Sequence, residues 1–302
     1  MIDKNLNQIR IGKPLKYIRE KKDLSITAIA KDIISSSQLS RVEKHNQIPN
    51  TDSFIKLLFR LNISFEEFWR LSDDSYLTAH ATTKNEIFAI LRKKDPEQLK
   101  TTISRMDAYY NKYHDSYFNH MSCITKATLI LCESNYDYSK VSDVLKPVSE
   151  YLLSIHSWFD YETELFSNCV YLYSLEEAIK IGNSTLDKIK NNFYVLVKSD
   201  NALARTLLLN LAIYSLSNEK YYYHAHSYSS AALSFPQSTD FSYNSLLAKI
   251  INQVACYKLK NLDYDEVYLA NLINGFKLMQ YDDLYKQCIN FIIKHGITIN
   301  NI

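Results

Sequence analysis

The sequence predicts an all-α protein, in which an N-terminal helix-turn-helix domain of five helices is followed by an α-solenoid of the tetratricopeptide type. Three observations support this fold class. The 302 residues include only 4 glycines and 5 prolines, which disfavours the many tight turns of β structure. Apolar residues recur at helical spacing along most of the chain. Beyond about residue 84 the helical segments pair into a loose repeat of about forty residues.

The first three helices are predicted from residues 15–44, LKYIREKKDLSITAIAKDIISSSQLSRVEK. Ser25 can cap the second helix, because a serine oxygen accepts a hydrogen bond from a backbone N–H of the first turn. Ser35 followed by Gln38 fits the capping-box pattern, so a third helix is expected from about Ser36. On that third helix, Leu39 and Val42 should face inward.

The opposite face of the third helix is polar and basic, and it carries the predicted DNA contacts. In a helix-turn-helix protein the N-terminal part of this helix enters the major groove, where hydroxyls and a forked guanidinium can read base edges. We predict base contacts from Ser36, Ser37, Ser40 and Arg41, with Gln38 as a further candidate, and phosphate contacts from Lys44 or Lys31. The alternative is that this face is only solvated.

Arg19 and Glu43 are interpreted differently, although both are charged. Each lies at the inner edge of its helix, so we expect an ion pair that joins the first helix to the third. Two more helices complete the domain, over residues 52–61 and after a second capping box at Ser64 and Glu67. Three large apolar side chains are expected to close its core: Phe68, Trp69 and Leu71.

The stretch SSSQLSRVEKHNQIPNTDSFIKLLFRLNISFEEFW resembles the N-terminal domain of Rgg-family regulators. The matching pieces are Gln38-Leu39-Ser40-Arg41, Glu43, Asp52-Ser53-Phe54 and Ile63 through Phe68. Where the family usually has a glycine this chain has His45 and Asn46, and asparagine tolerates the left-handed conformation that ends a helix. In length and layout the resemblance extends over the whole chain, but its specific motifs lie in residues 12–70. It implies a homodimeric, peptide-responsive transcriptional regulator that binds a double-stranded DNA operator.

Charge and cysteine content agree with a nucleic-acid-binding protein of the cytoplasm. Residues 1–70 hold thirteen Lys and Arg against eight Asp and Glu, whereas the remainder holds twenty-two against twenty-five. We expect neither a secretion signal nor a membrane span, because no charged-then-apolar leader or long apolar run occurs. The five widely spaced cysteines are typical of buried thiols in a reducing compartment.

We predict three segments: the helix-turn-helix domain in residues 1–71, a non-helical linker in residues 72–83, and a helical-repeat domain in residues 84–302. The last segment contains about eleven amphipathic stretches. Residues 204–236 are similar to a degenerate tetratricopeptide unit that lacks the usual tryptophan and glycine. Stacked units of this kind form an extended concave face that suits a peptide, and we expect the domain to sense a peptide and to dimerise.

Asparagines on strongly apolar helices are the candidate peptide contacts. Asn168 and Asn210 interrupt the apolar stretches ELFSNCVYLYS and TLLLNLAIYSL, and an amide can both donate to and accept from the backbone of an extended peptide. In the sensors that the Rgg resemblance implies, inward asparagines act in this way. Arg205 and Tyr214 lie about one turn from Asn210, and Asn252 lies in a corresponding helix. The alternative is that these amides satisfy backbone groups between repeats, or face water.

We found no pattern that indicates catalysis, a metal site or a cofactor. CxxC, HExxH, GxSxG and GxxxxGK are absent from the sequence, and His224 and His226 are two residues apart, which points them to different helix faces. We therefore predict a regulator controlled by a short hydrophobic peptide. One rival is a repressor whose helical array binds a partner protein. The other is a helical enzyme, which would need a deep pocket with convergent titratable groups.

Overall fold

The computed structural model describes residues 10–71, 75–191, 202–235 and 243–299. All regular secondary structure in these ranges is helical, and no strand occurs in them. Contacts divide the chain into two compact units, residues 1–118 and residues 119–302. The predicted all-α fold class is confirmed.

The first unit begins with five short helices. They are α1 (Gly12–Lys21), α2 (Ile26–Ala30), α3 (Ser36–His45), α4 (Thr51–Arg60) and α5 (Phe65–Arg70). Ser25, Ser35 and Ser64 cap α2, α3 and α5 as predicted, and Glu67 completes the capping box at α5. The core contains Leu15, Ile29, Leu39, Leu57 and Phe68. The prediction that Leu71 helps to close this core is wrong, because α5 ends at Arg70 and Leu71 is exposed.

Two longer helices follow in the first unit, α6 (Ser75–Lys93) and α7 (Pro96–Tyr113). The prediction of a non-helical linker over residues 72–83 is wrong from Ser75 onward, and residues 72–74 lie outside the described ranges. Ala79, Thr83, Ile87 and Leu91 form a buried stripe at intervals of four residues. The Thr83 hydroxyl donates to the Ala79 carbonyl at 2.6 Å, which satisfies it inside the helix. The buried stripe therefore includes a small residue, Ala79, and a polar one, Thr83, so a search for apolar residues at helical spacing does not detect it.

The second unit begins within α8 (Ser116–Glu133) and is built from helices. Helix α8 leads into α9 (Ser142–Ser154), α10 (Asp160–Cys169), α11 (Leu175–Asn191), α12 (Ala202–Ser215), α13 (Tyr222–Ser234), α14 (Tyr243–Leu259), α15 (Glu266–Leu278) and α16 (Asp282–Lys294). Short 3-10 turns lie at Tyr138–Lys140, Val170–Leu172 and Glu219–Tyr221. Residue 236, where the predicted repeat unit 204–236 ends, lies outside the described residues.

Alternate helices of the second unit form two layers. Helices α10, α12 and α14 pack side by side in one layer, while α11 and α13 pack against α12 from the other. Gly182 on α11 lets this helix approach α13 and α12 closely, since a Cβ at this position would lie 2.7 Å from the Tyr228 hydroxyl oxygen and 3.0 Å from a Leu211 methyl carbon. That hydroxyl donates to Asn183 Oδ1 at 2.8 Å. Because of this arrangement, one face of α10, α12 and α14 lies away from the second layer.

The cysteines agree with the buried thiols that the sequence predicts. All five cysteines are free thiols; Cys132 is half-buried and the other four are buried. Among the described residues, no helix combines the length and the apolar character that crossing a bilayer requires.

Candidate DNA-binding and peptide-binding sites

Helix α3 has the two opposite faces that the sequence predicts. Leu39 and Val42 are fully buried on the inner face. On the outer face the predicted DNA-contacting side chains are exposed or half-buried: Ser36, Ser37, Arg41 and Lys44 are exposed, and Gln38 and Ser40 are half-buried. Lys31, just after α2, is also exposed. The arrangement places these groups where a DNA duplex could reach them, and the contacts themselves stay a prediction.

The N-terminus of α3 is held by two serines. Ser35 Oγ accepts a hydrogen bond from the Gln38 backbone N–H at 3.1 Å and lies 3.0 Å from Ser37 Oγ. Ser37 is therefore engaged within the chain, which the sequence pattern did not indicate. Within the described residues the Arg41 side chain has no ion-pair or hydrogen-bond partner. The N–H donors of its guanidinium are therefore available to a ligand.

The predicted ion pair between α1 and α3 is confirmed. Arg19 Nε and Nη2 donate to the two Glu43 carboxylate oxygens at 2.7 and 2.8 Å, and Arg19 Nη1 donates to the Leu24 carbonyl at 2.9 Å. The hydrogen bond to Glu43 raises the pKa of Arg19, despite the opposing effect of burial. The paired groups are buried on the side of α3 opposite to the predicted DNA contacts, so this pair orients α3.

A hydrogen bond to Asn46 attaches the C-terminal end of α3 to α1. Asn46 adopts the left-handed conformation at φ 50° and ψ 33°, as the sequence predicts for a helix terminator. Its Oδ1 accepts a hydrogen bond from the Gly12 backbone N–H at 3.0 Å. Glycine is required there, because a Cβ at position 12 would lie 2.2 Å from the Val42 carbonyl oxygen. Helices α1 and α3 thus touch through their backbones.

Arg60 is a supporting residue that sequence reasoning missed. Its Nη1 donates to the Lys31 carbonyl at 2.8 Å and to the Ala28 carbonyl at 3.3 Å. The C-terminal end of α2 is thereby tied to α4, which fixes the turn that precedes α3. No sequence signal marks this role, since an arginine at the end of an amphipathic helix is typical of a solvated surface.

In the second unit, three of the predicted peptide contacts occupy equivalent positions. Asn168, Asn210 and Asn252 lie on α10, α12 and α14, separated by intervals of 42 residues along the chain. Each is half-buried on a helix whose other faces are largely buried. Because these helices are neighbours in one layer, the three asparagines form a row across it, called the amide row below.

Each member of the amide row uses its amide nitrogen within the chain. Asn210 Nδ2 donates to the Ser167 carbonyl and to Ser167 Oγ, both at 3.1 Å. Asn252 Nδ2 donates to Ser229 Oγ at 3.1 Å and Ser230 Oγ at 2.9 Å. Asn168 Nδ2 donates to the carbonyl of Glu164, one turn earlier, at 2.8 Å. These donors do what the alternative interpretation requires, namely satisfying groups within and between neighbouring helices.

The other two predicted peptide contacts differ from each other. Tyr214 is half-buried on the same helix as Asn210, and its hydroxyl donates to the Tyr173 carbonyl at 2.9 Å. Burial raises the pKa of this hydroxyl, so it stays a neutral donor. Arg205 is only 3% exposed and lies against α13, with Nε 3.4 Å from the Ala232 carbonyl oxygen. This burial counts against the predicted contact between Arg205 and a peptide.

Two further residues on this face were missed. Thr206 lies one turn before Asn210 and is half-buried, and its hydroxyl accepts from Asn244 Nδ2 at 3.3 Å. Lys126 on α8 precedes Asn168 by the same 42-residue interval and is also half-buried. The interval itself is the signal that could have found Lys126, because a fixed period places equivalent residues at equivalent positions of successive repeats.

Comparison with known families decides what this architecture is. The C-terminal domain of the HTH-type transcriptional regulator Rgg matches residues 99–290, which is more than half of the chain. A helix-turn-helix family matches residues 15–68. The chain belongs to the Rgg family. As a member of that family it is a helix-turn-helix transcriptional regulator, and the resemblance inferred from residues 12–70 is confirmed.

Solved structures agree with this membership in fold. The SHP pheromone receptor Rgg2 from Streptococcus dysgalactiae is 20% identical, with a TM-score of 0.66 over 94% of this chain and 99% of that one. A putative transcriptional regulator from Listeria monocytogenes EGD-e is 18% identical, with a TM-score of 0.71 over 97% and 100%. PrgX in its complex with cCF10 is 17% identical, with a TM-score of 0.65 over 95% and 92%. This Rgg-family chain thus shares its fold with each of them along almost its whole length.

Proposed function

We propose that this Rgg-family regulator is controlled by a short hydrophobic peptide that binds along the face of α10, α12 and α14. The observation that carries the proposal is the amide row, since amides at a fixed repeat interval can hold a peptide backbone whatever its side chains. Two proteins of the same fold are described as a pheromone receptor and as a complex with cCF10, which supports a peptide as the ligand class.

The DNA part of the proposal assigns roles on α3. Ser36, Ser40 and Arg41 would read base edges, with Ser37 and Gln38 beside them, and Lys44 or Lys31 would bind phosphate. The exposure of Arg41 and the firm attachment of α3 to α1 support these roles. We place the protein in the cytoplasm, where both DNA and reduced thiols are found, and assign it no catalytic activity.

Dimerisation is part of the same proposal, and the last two helices are its candidate surface. A solenoid normally ends in a unit with a polar outer face. Here Val267 and Leu278 on α15 are 70% and 84% exposed, and Ile293 on α16 is 61% exposed. A cavity of about 470 Å³ along α16 and the residues that follow it is lined mainly by apolar side chains, including Ile289, Ile293 and Ile297. A second copy of the chain would cover this apolar end.

The proposal is tested by isothermal titration of the purified chain with a set of hydrophobic octapeptides, beside analysis by mass spectrometry of small species that co-purify from its native cells. We expect a co-purifying peptide, and saturable binding of it or of a related octapeptide. The absence of heat with every octapeptide, together with no bound peptide from cells, would overturn peptide control.

A second candidate function is favoured by the hydrogen bonds of the amide row. Because all three Nδ2 groups already have partners, the asparagines could serve packing alone, and the array would then bind a partner protein. The variant Asn210→Ala distinguishes a packing role from a peptide-binding role. A packing role predicts a lower melting temperature with any peptide affinity unchanged, whereas peptide control predicts a clear loss of peptide affinity.

A further inference from the structure

We infer that the second unit has a further binding site, between α9 and α11, for a small carboxylate that also carries a keto or hydroxyl oxygen. In this site Lys146 and Lys180 attract the carboxylate, and the Tyr173 hydroxyl donates to the second oxygen. The inference is independent of peptide binding, because none of the described residues that line the site belongs to α10, α12 or α14.

Two adjoining cavities lie between the facing sides of α9 and α11. The smaller has a volume of about 150 Å³, and its lining residues follow one side of each helix at intervals of three or four: Lys146, Ser149 and Leu153 on α9, and Glu177, Lys180 and Ile181 on α11. The larger, of about 480 Å³, shares Glu177 and Lys180 with it and extends to the 3-10 turn at Tyr138–Lys140. The smaller cavity therefore connects with a wider polar groove.

Tyr173 forms the inner wall of the smaller cavity. Its side chain belongs to a residue that is only 3% exposed, and its hydroxyl has no hydrogen-bond partner in the described part of the chain. Buried polar groups are normally hydrogen-bonded, because an unpaired one costs stability. Burial raises the pKa of Tyr173, so the hydroxyl keeps its proton and can donate it. A ligand in this cavity that carries an acceptor oxygen would supply the missing partner.

Lys146 and Lys180 provide positive charge at the opening of the same cavity, where both are exposed. Lys180 forms no ion pair with any residue that the structure describes. Lys146 pairs only with Glu150, one turn along α9, at 3.9 Å. Exposed pairs of this kind contribute little to stability, so both ammonium groups can turn towards a bound anion.

The carboxylates around the smaller cavity are engaged or exposed. Glu177 accepts from Ser174 Oγ at 2.7 Å and from Ser142 Oγ at 3.3 Å, so each of its oxygens already has a partner. Asp143 is exposed in the first turn of α9, where the positive end of the helix dipole stabilises its charge. The unused groups inside the cavity are consequently donors, and a complementary ligand is rich in acceptors.

The size and the walls of the cavity restrict the ligand further. Its volume of about 150 Å³ is below the range of about 300–1,000 Å³ that drug-sized ligands occupy. Leu153 and Ile181 add apolar surface between the lysines and the Tyr173 hydroxyl. A short carbon chain fits such walls, with a carboxylate at the opening and an uncharged oxygen at the inner end. These features together describe a short oxo- or hydroxycarboxylate.

The test compares acids that differ by one keto oxygen. Pyruvate is matched with propionate, and levulinate is matched with valerate. Dissociation constants are measured by ligand-observed nuclear magnetic resonance titration of the full chain and of the variants Tyr173→Phe and Lys180→Gln. Tyr223→Phe and Lys260→Gln, at exposed positions outside both cavities, are the matched controls.

We expect each oxo acid to bind about three- to tenfold more tightly than its matched acid, and Tyr173→Phe to abolish this advantage. Lys180→Gln should weaken the binding of every acid by a similar factor, because all four carry the carboxylate. The controls should bind as the unaltered chain does. Without ligand, the melting temperature of Tyr173→Phe should stay unchanged or rise, since the variant removes a buried hydroxyl that has no partner.

Three results would overturn the inference. The first is that none of the four acids binds, or that the matched acids bind equally well. The second is an oxo-acid advantage that persists in Tyr173→Phe. The third is a melting temperature of Tyr173→Phe that falls by several degrees without ligand, because the hydroxyl would then have its partner inside the folded chain, such as a buried water molecule.

Discussion

Arg19 and Glu43 form a bidentate ion pair between α1 and α3, with N···O distances of 2.7 and 2.8 Å. Glu43 lies on the inner side of the helix that carries the candidate base-reading groups, and its side chain is only 2% exposed. A forked guanidinium fixes direction as well as distance. The pair therefore sets the orientation of α3 relative to the rest of the helix-turn-helix domain.

Removal of Arg19 should destabilise the first unit. Arg19→Ala leaves the Glu43 carboxylate buried without its partner, which typically costs about 3–5 kcal/mol. Urea denaturation followed by circular dichroism would measure this loss. The double variant Arg19→Met/Glu43→Leu, which removes both charges, should recover most of it. A stable Arg19→Ala variant with abolished DNA binding would show instead that Arg19 contacts DNA.

Arg41 should act on sequence preference and not on folding. Its side chain is exposed and has no ion-pair partner in the described part of the chain, so Arg41→Ala should leave the melting temperature unchanged. We expect a loss of about 1–3 kcal/mol in discrimination between operator and scrambled DNA, because a guanidinium reads guanine through two hydrogen bonds. Electrophoretic mobility shifts with both duplexes would measure it.

Lys44→Ala is the matched control on the same face. A phosphate contact carries no sequence information, so this variant should weaken binding to both duplexes equally. The slope of log K against log salt concentration should become smaller by about 1. Unchanged discrimination in Arg41→Ala would refute the base-reading role assigned to it.

Gly182 should tolerate no larger residue. In Gly182→Ala the new Cβ would lie 2.7 Å from the Tyr228 hydroxyl oxygen and 3.0 Å from a Leu211 methyl carbon, so either these buried side chains or α11 must shift. Overpacking of this kind costs about 1–3 kcal/mol. Gly275→Ala on α15 is the control, because its Cβ would meet nothing within 4 Å. Gly275→Ala should gain up to about 1 kcal/mol of stability from helix propensity. Equal melting temperatures for Gly182→Ala and Gly275→Ala would contradict the packing described for α11.

The apolar end of the array should govern the oligomeric state. Leu278→Ser removes the most exposed apolar side chain of α15, and we expect the dimer dissociation constant to rise about tenfold or more, as measured by sedimentation. Leu153→Ser, at an exposed leucine on α9, should have no effect. A chain that sediments as a monomer before any substitution would contradict the proposed dimer.

Much of the helical layout follows from local signals in the sequence. Ser35 and Ser64 precede their helices with the spacing of caps, and the structure has helices that begin there. The pairing of Arg19 with Glu43 was predictable too, because each charge falls beside the apolar stripe of its helix. Such signals depend on a few neighbouring residues and need no knowledge of the tertiary structure.

Other features depend on contacts between distant residues, and the sequence did not reveal them. The helix that begins at Ser75 buries Ala79 and Thr83, and their burial cannot be inferred from their small or polar side chains. Arg205 looked like a groove residue from its spacing to Asn210, yet its side chain is buried against α13. Which face of a mostly apolar helix is open is decided by packing, because such a helix has a weak amphipathic signal.

The most direct test of peptide control is the affinity for an operator with and without bound peptide. The operator would be selected from random duplexes, and the peptide would be the one identified from native cells. We predict that saturating peptide changes the operator dissociation constant on the order of tenfold in one direction, as coupled binding sites typically do. An unchanged operator dissociation constant at saturating peptide would contradict the account. A ligand that binds both states of a protein with equal affinity does not shift the equilibrium between them, and so cannot control DNA binding.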